Sequence, residues 1–581
     1  MTVSSPRVFI VDFDLVGYSG HYFNQVLGLR EAARAREIEA RIYISQRADP
    51  KITEELGARA ILPAIRWHDV SKDLLLEDLA CAQFTLSPLL KDLEAAHVSE
   101  RDVLVITSSR PQVIFGVGQW LCAQPASARP AVVFRFFVPE FYDFEAKTFK
   151  AGEWAFRFAS RSLIGLPGAD RVFFTLNDKR ALGHLERLSL RRAFYLPVPK
   201  YYDALTGLPE TRASKSLTIY VHINLRSGQI SGRINDVLNR VLSRYSDVKF
   251  LIRFCKDSSG EDDLRKKIDQ RFIGRNVEFL PAEENHVEYL ATIERSDVVL
   301  LPYDPVGYRG IVSGIFCEAV AMGKIPVIPA RTWMADHVTE GRAAGVLFGE
   351  NSTNDMADAI ERAIQDRERL QAEACRNAPS FRDENCCAKN LDGMLELARQ
   401  SRDMRLSYVP LTDATKAFGS QLYLGEGWSE AEENFGVWSN GDRARIDFPI
   451  RPDARVLFLS VQVRPFLTAA RSRFDVSLTA NAVPVAKWSF DAKRHGDCDW
   501  SWRHIRIPDS VTANGDIQIV LNISSPVSPK ELGLSGDNRK LGIALRRFSL
   551  GPEIPDVSDI EPVSKHSRFR QWLGRLKLRW G

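Results

Sequence analysis

Leu301-Pro-Tyr-Asp-Pro-Val-Gly-Tyr-Arg-Gly-Ile-Val-Ser-Gly-Ile-Phe-Cys-Glu-Ala-Val-Ala-Met-Gly-Lys-Ile-Pro-Val-Ile328 reads as a strand, a glycine-bearing loop, a short helix and a second strand. Apolar Val298–Pro302 and Ile325–Pro329 supply the strands, and Ile315–Ala321 has the composition of a buried helix. Ser313 and Gly314 fall where that helix begins. The free N–H groups and positive dipole end there suit a diphosphate. Glu318 lies one turn further on, where a carboxylate facing a cleft can grip the vicinal hydroxyls of a ribose. Spacing alone favours Ser313 as a plain N-cap and Glu318 as a solvated helix residue.

Upstream, the same alternation continues. Strands are expected at Leu217–Ile223, Val248–Phe254 and Val277–Leu280. Helices are expected at Arg233–Tyr245, Asp262–Phe272 and His286–Ser296, and after the quoted stretch at Thr353–Ala374. Alternating strands and helices predict a parallel sheet covered on both faces. A separate series precedes it: strand Arg7–Asp12, loop Gly17-Tyr-Ser-Gly-His21, helix Phe23–Arg36 and strand Ala40–Ser45, then strands at Asp102–Thr107, Ala131–Val138 and Arg171–Thr175. Pro197, Pro199, Gly207 and Pro209 followed by Arg212–Ser216 read as the linker between the two series. Two doubly wound α/β domains in tandem place a ligand in the cleft at the carboxyl ends of their strands.

Beyond about residue 405 the helical period disappears. Alternating segments at Arg443–Phe448, Val456–Val463, Phe474–Thr479, Val485–Phe490, His504–Ile507, Ile517–Asn522 and Leu541–Leu550 predict a β-sandwich. The expected domains are 1–200, 215–400 and 410–552, followed by a basic tail at 563–581. That tail holds Lys565, Arg568, Arg570, Arg575, Lys577 and Arg579 among Phe569, Trp572 and Trp580, with no acid. Without those six charges the formal net charge falls from +4 to −2. Aromatics among cations are the pattern of an interfacial helix, so residues 565–581 are expected on an anionic membrane surface. RNA is the competing use of the same charges.

The chain has 581 residues, 45% hydrophobic and 26% charged, which excludes a mostly disordered or collagen-like protein and demands several cores. With 78 basic against 74 acidic side chains it is too balanced to bind nucleic acid by bulk charge, and no nucleic-acid partner is expected. Eight cysteines, none in a Cys-x-x-Cys pair, suggest neither a zinc site nor a disulfide framework and fit a reduced, cytoplasmic protein. Neither a signal peptide nor a bilayer-spanning run is expected.

The quoted stretch resembles the nucleotide-sugar motif of retaining glycosyltransferases with two Rossmann-like domains (GT-B), the group 1 or family 4 type. Glu318-Ala-Val-Ala-Met-Gly323 and Pro326-Val327 fit the second half of its Glu-x7-Glu pattern, while the first Glu is replaced by Gly310. Tyr308 with Ser313-Gly314 resembles a Tyr-x-x-x-x-Ser-Gly version of the motif. The resemblance implies transfer of a sugar from a nucleotide diphosphate sugar to a cell-surface polysaccharide or lipid-linked glycan, with retention and neither metal nor cofactor. It implies that Glu318 holds the donor ribose. Ser313, Gly314, Arg226, Arg253, Tyr308 and Arg309 would hold the rest of the donor, because arginines and helix-end N–H groups carry the charge of the leaving diphosphate. Glu140, His21 and Asp143 would line the reaction centre. No Asp-x-Asp motif to hold a divalent ion is expected in the chain. In the β-rich region Trp428 and Trp438 are glycan-binding candidates, with Trp488, Trp500 and Trp502 nearby in sequence; core filling is the alternative for each. Two other readings of the chain stay open: a degenerate transferase that only binds glycan, and a nucleotide-sugar epimerase on the same architecture.

Overall fold

A computed structural model describes residues 6–18, 21–63, 79, 81–136, 141–144, 148–149, 153–202, 216–223, 230–254, 266, 272–281, 286–349, 353–399, 403–415, 422–432, 435–452, 456–513 and 515–555. Glu140, Arg226, most of the expected helix 262–272 and the tail 563–581 lie outside the described residues. The chain forms two compact units, 1–402 and 403–581.

The first unit contains two parallel sheets. Strands β1 (Arg7–Asp12), β2 (Glu39–Ser45), β3 (Arg59–Leu62), β4 (Val103–Ile106), β5 (Ala131–Phe136), β8 (Val172–Leu176) and β9 (Ala193–Tyr195) join in the order 3-2-1-4-5-8-9. A two-residue ladder, β6 (Tyr142–Asp143) with β7 (Thr148–Phe149), stands apart from them. Strands β10 (Thr218–Ile223), β11 (Lys249–Phe254), β12 (Val277–Phe279), β13 (Val298–Leu300), β14 (Ile325–Pro329) and β15 (Val346–Phe348) join in the order 12-11-10-13-14-15. Both are Rossmann-like. Their central strands are apolar along their whole length because helices cover both faces; Val103–Ile106 and Val298–Leu300 are at most 1% exposed. Each sheet reverses its strand order beside its first strand, the point outside whose carboxyl ends open α/β sheets place their ligands.

Two helical expectations change. The pattern expected as one helix over Thr353–Ala374 is two, Thr353–Gln365 and Arg367–Glu384. Asp366 breaks the run with φ −94° and ψ 14°, and its carboxylate is taken by Arg369 at 2.8 Å in the first turn of the second helix. A further helix, Cys387–Arg399, was not among those expected; it falls in the range 215–400 expected of the second domain yet packs on the first sheet and the helix Tyr22–Arg34. Arg36 binds Asp392 at 2.8 Å. A Cβ on Gly28 would stand 2.5 Å from Cys387 Sγ, so only glycine allows this approach. The chain therefore crosses between the two sheets twice. The crossings lie side by side, with Lys200 bridging to Cys386 and Cys387 N–H donating to the Lys200 carbonyl at 2.9 Å.

The second unit is antiparallel. β16 (Val409–Asp413), β24 (Leu541–Gly551), β19 (Leu457–Pro465) and β22 (Ser501–Ile507) form one sheet in that order, with β17 (Val437–Asn440) also on β24. β18 (Arg443–Phe448), β23 (Ile517–Ile523), β20 (Arg473–Ala480) and β21 (Val483–Asp491) form the other. The sheets meet where Phe448 and Phe548 approach with ring centroids 5.9 Å apart.

Candidate functional site

The helix Gly314–Ala321 starts at Ser313, whose hydroxyl accepts from the Phe316 N–H at 3.2 Å. Ser313 is thus an N-cap, as one of its two readings has it. Glu318 is 7% exposed rather than solvated. Its Oε1 accepts from Lys200 Nζ at 2.5 Å, and its Oε2 accepts from the Tyr289 hydroxyl. Lys200, also 7% exposed, comes from the first crossing, and Tyr289 from the helix His286–Glu294. Burial pulls the Lys200 ammonium down, but the Glu318 carboxylate more than offsets it, so its pKa is raised. Burial and then Glu318 push the Tyr289 phenol well above its ordinary value. A carboxylate has about four lone-pair sites, so two remain for incoming hydroxyls. A Cβ on Gly314 would stand 3.1 Å from Lys200 Nζ; the glycine leaves the helix start open to that ammonium.

Arg253 joins from the end of β11. Its guanidinium lies 5.6 Å from the Tyr289 ring centroid and 5.9 Å from that of Tyr220. His222, opposite it on β10, hydrogen-bonds Tyr220 through Nδ1 at 2.9 Å. Burial, then the Arg253 charge, lowers His222 to about 3, so it stays neutral. Arg253, Tyr289, Glu318 and Lys200 form one connected cluster.

The segment around the first sheet adds two groups near Lys200. His21 precedes the helix Tyr22–Arg34; burial, then Lys200 and Arg135, lowers it to about 3. It is therefore a neutral imidazole among positive charges, able to accept a proton only weakly. Arg135, 3% exposed near the end of β5, is lowered to about 10, mainly by burial. Asp12-Phe-Asp14 has the Asp-x-Asp spacing, contrary to the expectation that the chain carries none. Here Asp12 accepts from Thr107 at 2.7 Å and from the Asp14 and Leu15 N–H groups at 2.9 Å, while Asp14 pairs with Arg110. Both carboxylates serve the loop after β1. Among the described residues no cluster of His, Cys, Asp and Glu could hold a metal ion.

Of the other expected residues, Tyr308 stacks on Tyr303 with centroids 4.0 Å apart. The Arg309 carbonyl accepts from Arg180, which also pairs with Asp178 and Asp336. Asp143 stands in the β6–β7 ladder beside Tyr142, whose ring stacks on His184 at 3.5 Å. The structure thus draws Ser313, Gly314, Glu318 and Arg253 together, with His21 reaching them through Lys200. Lys200 and Tyr289 were not expected. A single Lys in a proline-bearing linker and a Tyr in a helix carry no pattern. Arg135 did have a signal: Phe134-Arg-Phe136 repeats the Arg-in-apolar-strand of Ile252-Arg-Phe254.

In the second unit the Trp428 indole N–H donates to the Arg445 carbonyl at 2.8 Å, and Trp428 is half-buried. Trp438 is 5% exposed and packs against Phe435 and Phe466, so it fills a cluster rather than offering a ring to a sugar. Among the described residues no helix is long and apolar enough to cross a membrane.

Residues 236–380 match the family model described as Glycosyl transferases group 1. This span holds the Glu318 helix, Tyr289 and Arg253. Comparison with curated proteins gives no match. Solved structures with similarity include a glycosyltransferase from Rickettsia africae at 11% identity, with a TM-score of 0.48 over 68% of this chain and 99% of that one. An alpha,alpha-trehalose 6-phosphate synthase from Burkholderia multivorans shows 14% identity and a TM-score of 0.46 over 68% and 97%. A UDP-N-acetylglucosamine 2-epimerase from Listeria monocytogenes, so described with reserve in its source, shows 10% and 0.44 over 67% and 95%.

Proposed function

We propose that this chain is a glycosyltransferase that moves a sugar, a hexose, from a nucleotide diphosphate sugar to a cell-surface polysaccharide or lipid-linked glycan. The observation that carries this reading is Glu318: a buried carboxylate on the second turn of a Ser-capped helix, inside the group 1 match, with two lone-pair sites left for ribose hydroxyls. The helix start, Lys200, Arg253 and Arg135 supply positive potential for the leaving diphosphate, which is what a metal-independent transfer needs. Front-face attack with retention follows from the resemblance. His21, partly exposed and neutral, holds the edge of the reaction centre, and the basic residues 565–581 dock the enzyme on an anionic membrane where a lipid-linked acceptor resides.

Gly310, where the motif has Glu, favours a second reading: a domain that binds the donor without turning it over. The test is a melting-temperature screen of nucleoside diphosphates and their sugars on the wild type and Glu318→Ala. One nucleotide should stabilise the wild type, by about 2.7 kcal/mol at a hundred times its Kd, and not the variant. Absence of stabilisation by any nucleotide in folded protein sinks both readings. Stabilisation without nucleotide release in the presence of acceptor leaves the second.

A further inference from the structure

The five-stranded sheet of the second unit turns one face to the inter-sheet core and one away from it. Along β24, Ile543, Leu545, Phe548 and Leu550 belong to the core face, each at most 1% exposed, while Leu541 and Ala544 pack with Trp438 in a separate cluster. Two residues rather than one separate Leu545 from Phe548, because the pairing with β19 slips between Gln462 and Val463. This bulge turns Arg546 and Arg547 to the outer face together, where a regular strand would send one of them inward.

Arg547 lies opposite Asp413 on β16 and Gln462 on β19, and Gln462 lies opposite Trp502 on the edge strand β22. One row therefore runs Asp413, Arg547, Gln462, Trp502 across four strands, roughly 14 Å at the usual strand spacing. Gln462 is 9% exposed, and its Oε1 has no hydrogen-bond partner. Leaving such an acceptor unmet is costly. Arg546 Nε is likewise buried and unmet, with its guanidinium 5.8 Å from the Trp500 ring centroid. Against two adjacent guanidiniums the row offers one carboxylate, Asp413, 3.8 Å from Arg547. Burial, then the Arg547 charge, lowers the pKa of Arg546, so an anion placed between them relieves both. Trp502, partly exposed, lies parallel to His504 with centroids 6.0 Å apart.

We propose that this face binds an acidic glycan: the sugar carboxylate sits on Arg546 and Arg547, a ring hydroxyl donates to Gln462 Oε1, and the sugar ring packs on Trp502. A recessed acceptor beside paired cations and an aromatic ring calls for an anion and an O–H donor in one small unit, which a uronic acid provides. A flat layer of lipid headgroups does not reach a recessed amide. The site lies wholly within the second unit and stands whether or not the donor reading does.

The test is calorimetric titration of the full-length chain with oligogalacturonate and oligoalginate, with neutral dextran, oligothymidylate and phosphatidylglycerol vesicles alongside. At least one acidic oligosaccharide should bind and dextran should not. Trp502→Ala and the double variant Arg546→Gln/Arg547→Gln should each weaken that binding about ten-fold or more, with unchanged circular dichroism. Should the double variant fail to fold, Trp502→Ala on its exposed edge decides. Failure of the wild type to bind either acidic oligosaccharide overturns the proposal. So does binding that the variants leave intact, which would place it elsewhere in the chain. Loss of oligothymidylate or vesicle binding equal to the loss of glycan binding overturns it too.

Discussion

Lys200 and Glu318 are the residues on which the proposed donor site turns, and both are nearly inaccessible to water. Breaking a buried ion pair from one side leaves an uncompensated charge, which is far more damaging than removing both partners. Lys200→Met should therefore lower stability by about 3–5 kcal/mol in urea unfolding, and Lys200→Met/Glu318→Gln should recover much of that loss. Equal losses in the single and double variants would mean that Lys200 acts through packing alone. At this scale the sequence was legible where a residue type broke its surroundings: Glu318 in an apolar helix and Arg253 in an apolar strand. It was silent for Lys200 and Tyr289, because a partner brought in from another element leaves no local pattern.

At the scale of elements, period and punctuation served well. Arg7–Asp12, Ile325–Pro329 and Arg443–Phe448 form as strands over the residues expected of them. Strands β16 and β17 escaped because each is short and lies among turn residues, and pairing with β24, which is distant in sequence, holds them as strands. The approach of the 427 segment to β18 depends on a glycine. Gly427 has φ +85°, and a Cβ there would stand 1.9 Å from the Arg443 carbonyl oxygen. Gly427→Ala combines left-handed strain with a backbone clash and should cost about 2–3 kcal/mol or more. Differential scanning calorimetry reads it out: a single transition should move down, that of residues 403–581, while nucleotide-dependent stabilisation of the first unit persists. Movement of every transition by the same amount would tie the two units into one cooperative block.

For the whole molecule, the ionisation of buried groups sets the response to acid. His21, His222 and His337 are each lowered to about 3, chiefly by burial. Below about pH 6.5 the unfolded chain takes up protons at these rings that the folded chain refuses. Folded pKa values below the unfolded one mean that stability is lost as pH falls. Asp12, raised to about 6 by burial, acts in the opposite sense between about 3.8 and 6, where the folded chain keeps a proton that the unfolded chain has lost. His184, lowered to about 4 by burial and then by Arg187, joins these rings, and Asp336, raised by burial, joins Asp12; the histidines outweigh the two aspartates and leave a net fall in stability on acidification, about 1.4 kcal/mol per pH unit for each unbalanced proton. Urea midpoints recorded from pH 7.5 to pH 4.5 should decline steadily, and a flat profile would refute the neutral-imidazole assignment. The overall plan was readable because two series of alternating strands and helices give way to a run of strands. What the sequence concealed is that Cys387–Arg399 returns to the first sheet, since an amphipathic helix does not declare which surface it will cover.

The bulge in β24 has a consequence for how such a surface is reached. In a regular strand, neighbouring side chains point to opposite sides, so no exchange of one amino acid for another can set two adjacent arginines on one face. Only a change in chain length does so, because one extra residue shifts the phase of everything beyond it. Point-mutation libraries of this strand therefore explore the strength of the paired cations but not their existence. A single-residue deletion at 546 removes the pair in one step while leaving Phe548 and Leu550 in phase with Leu545.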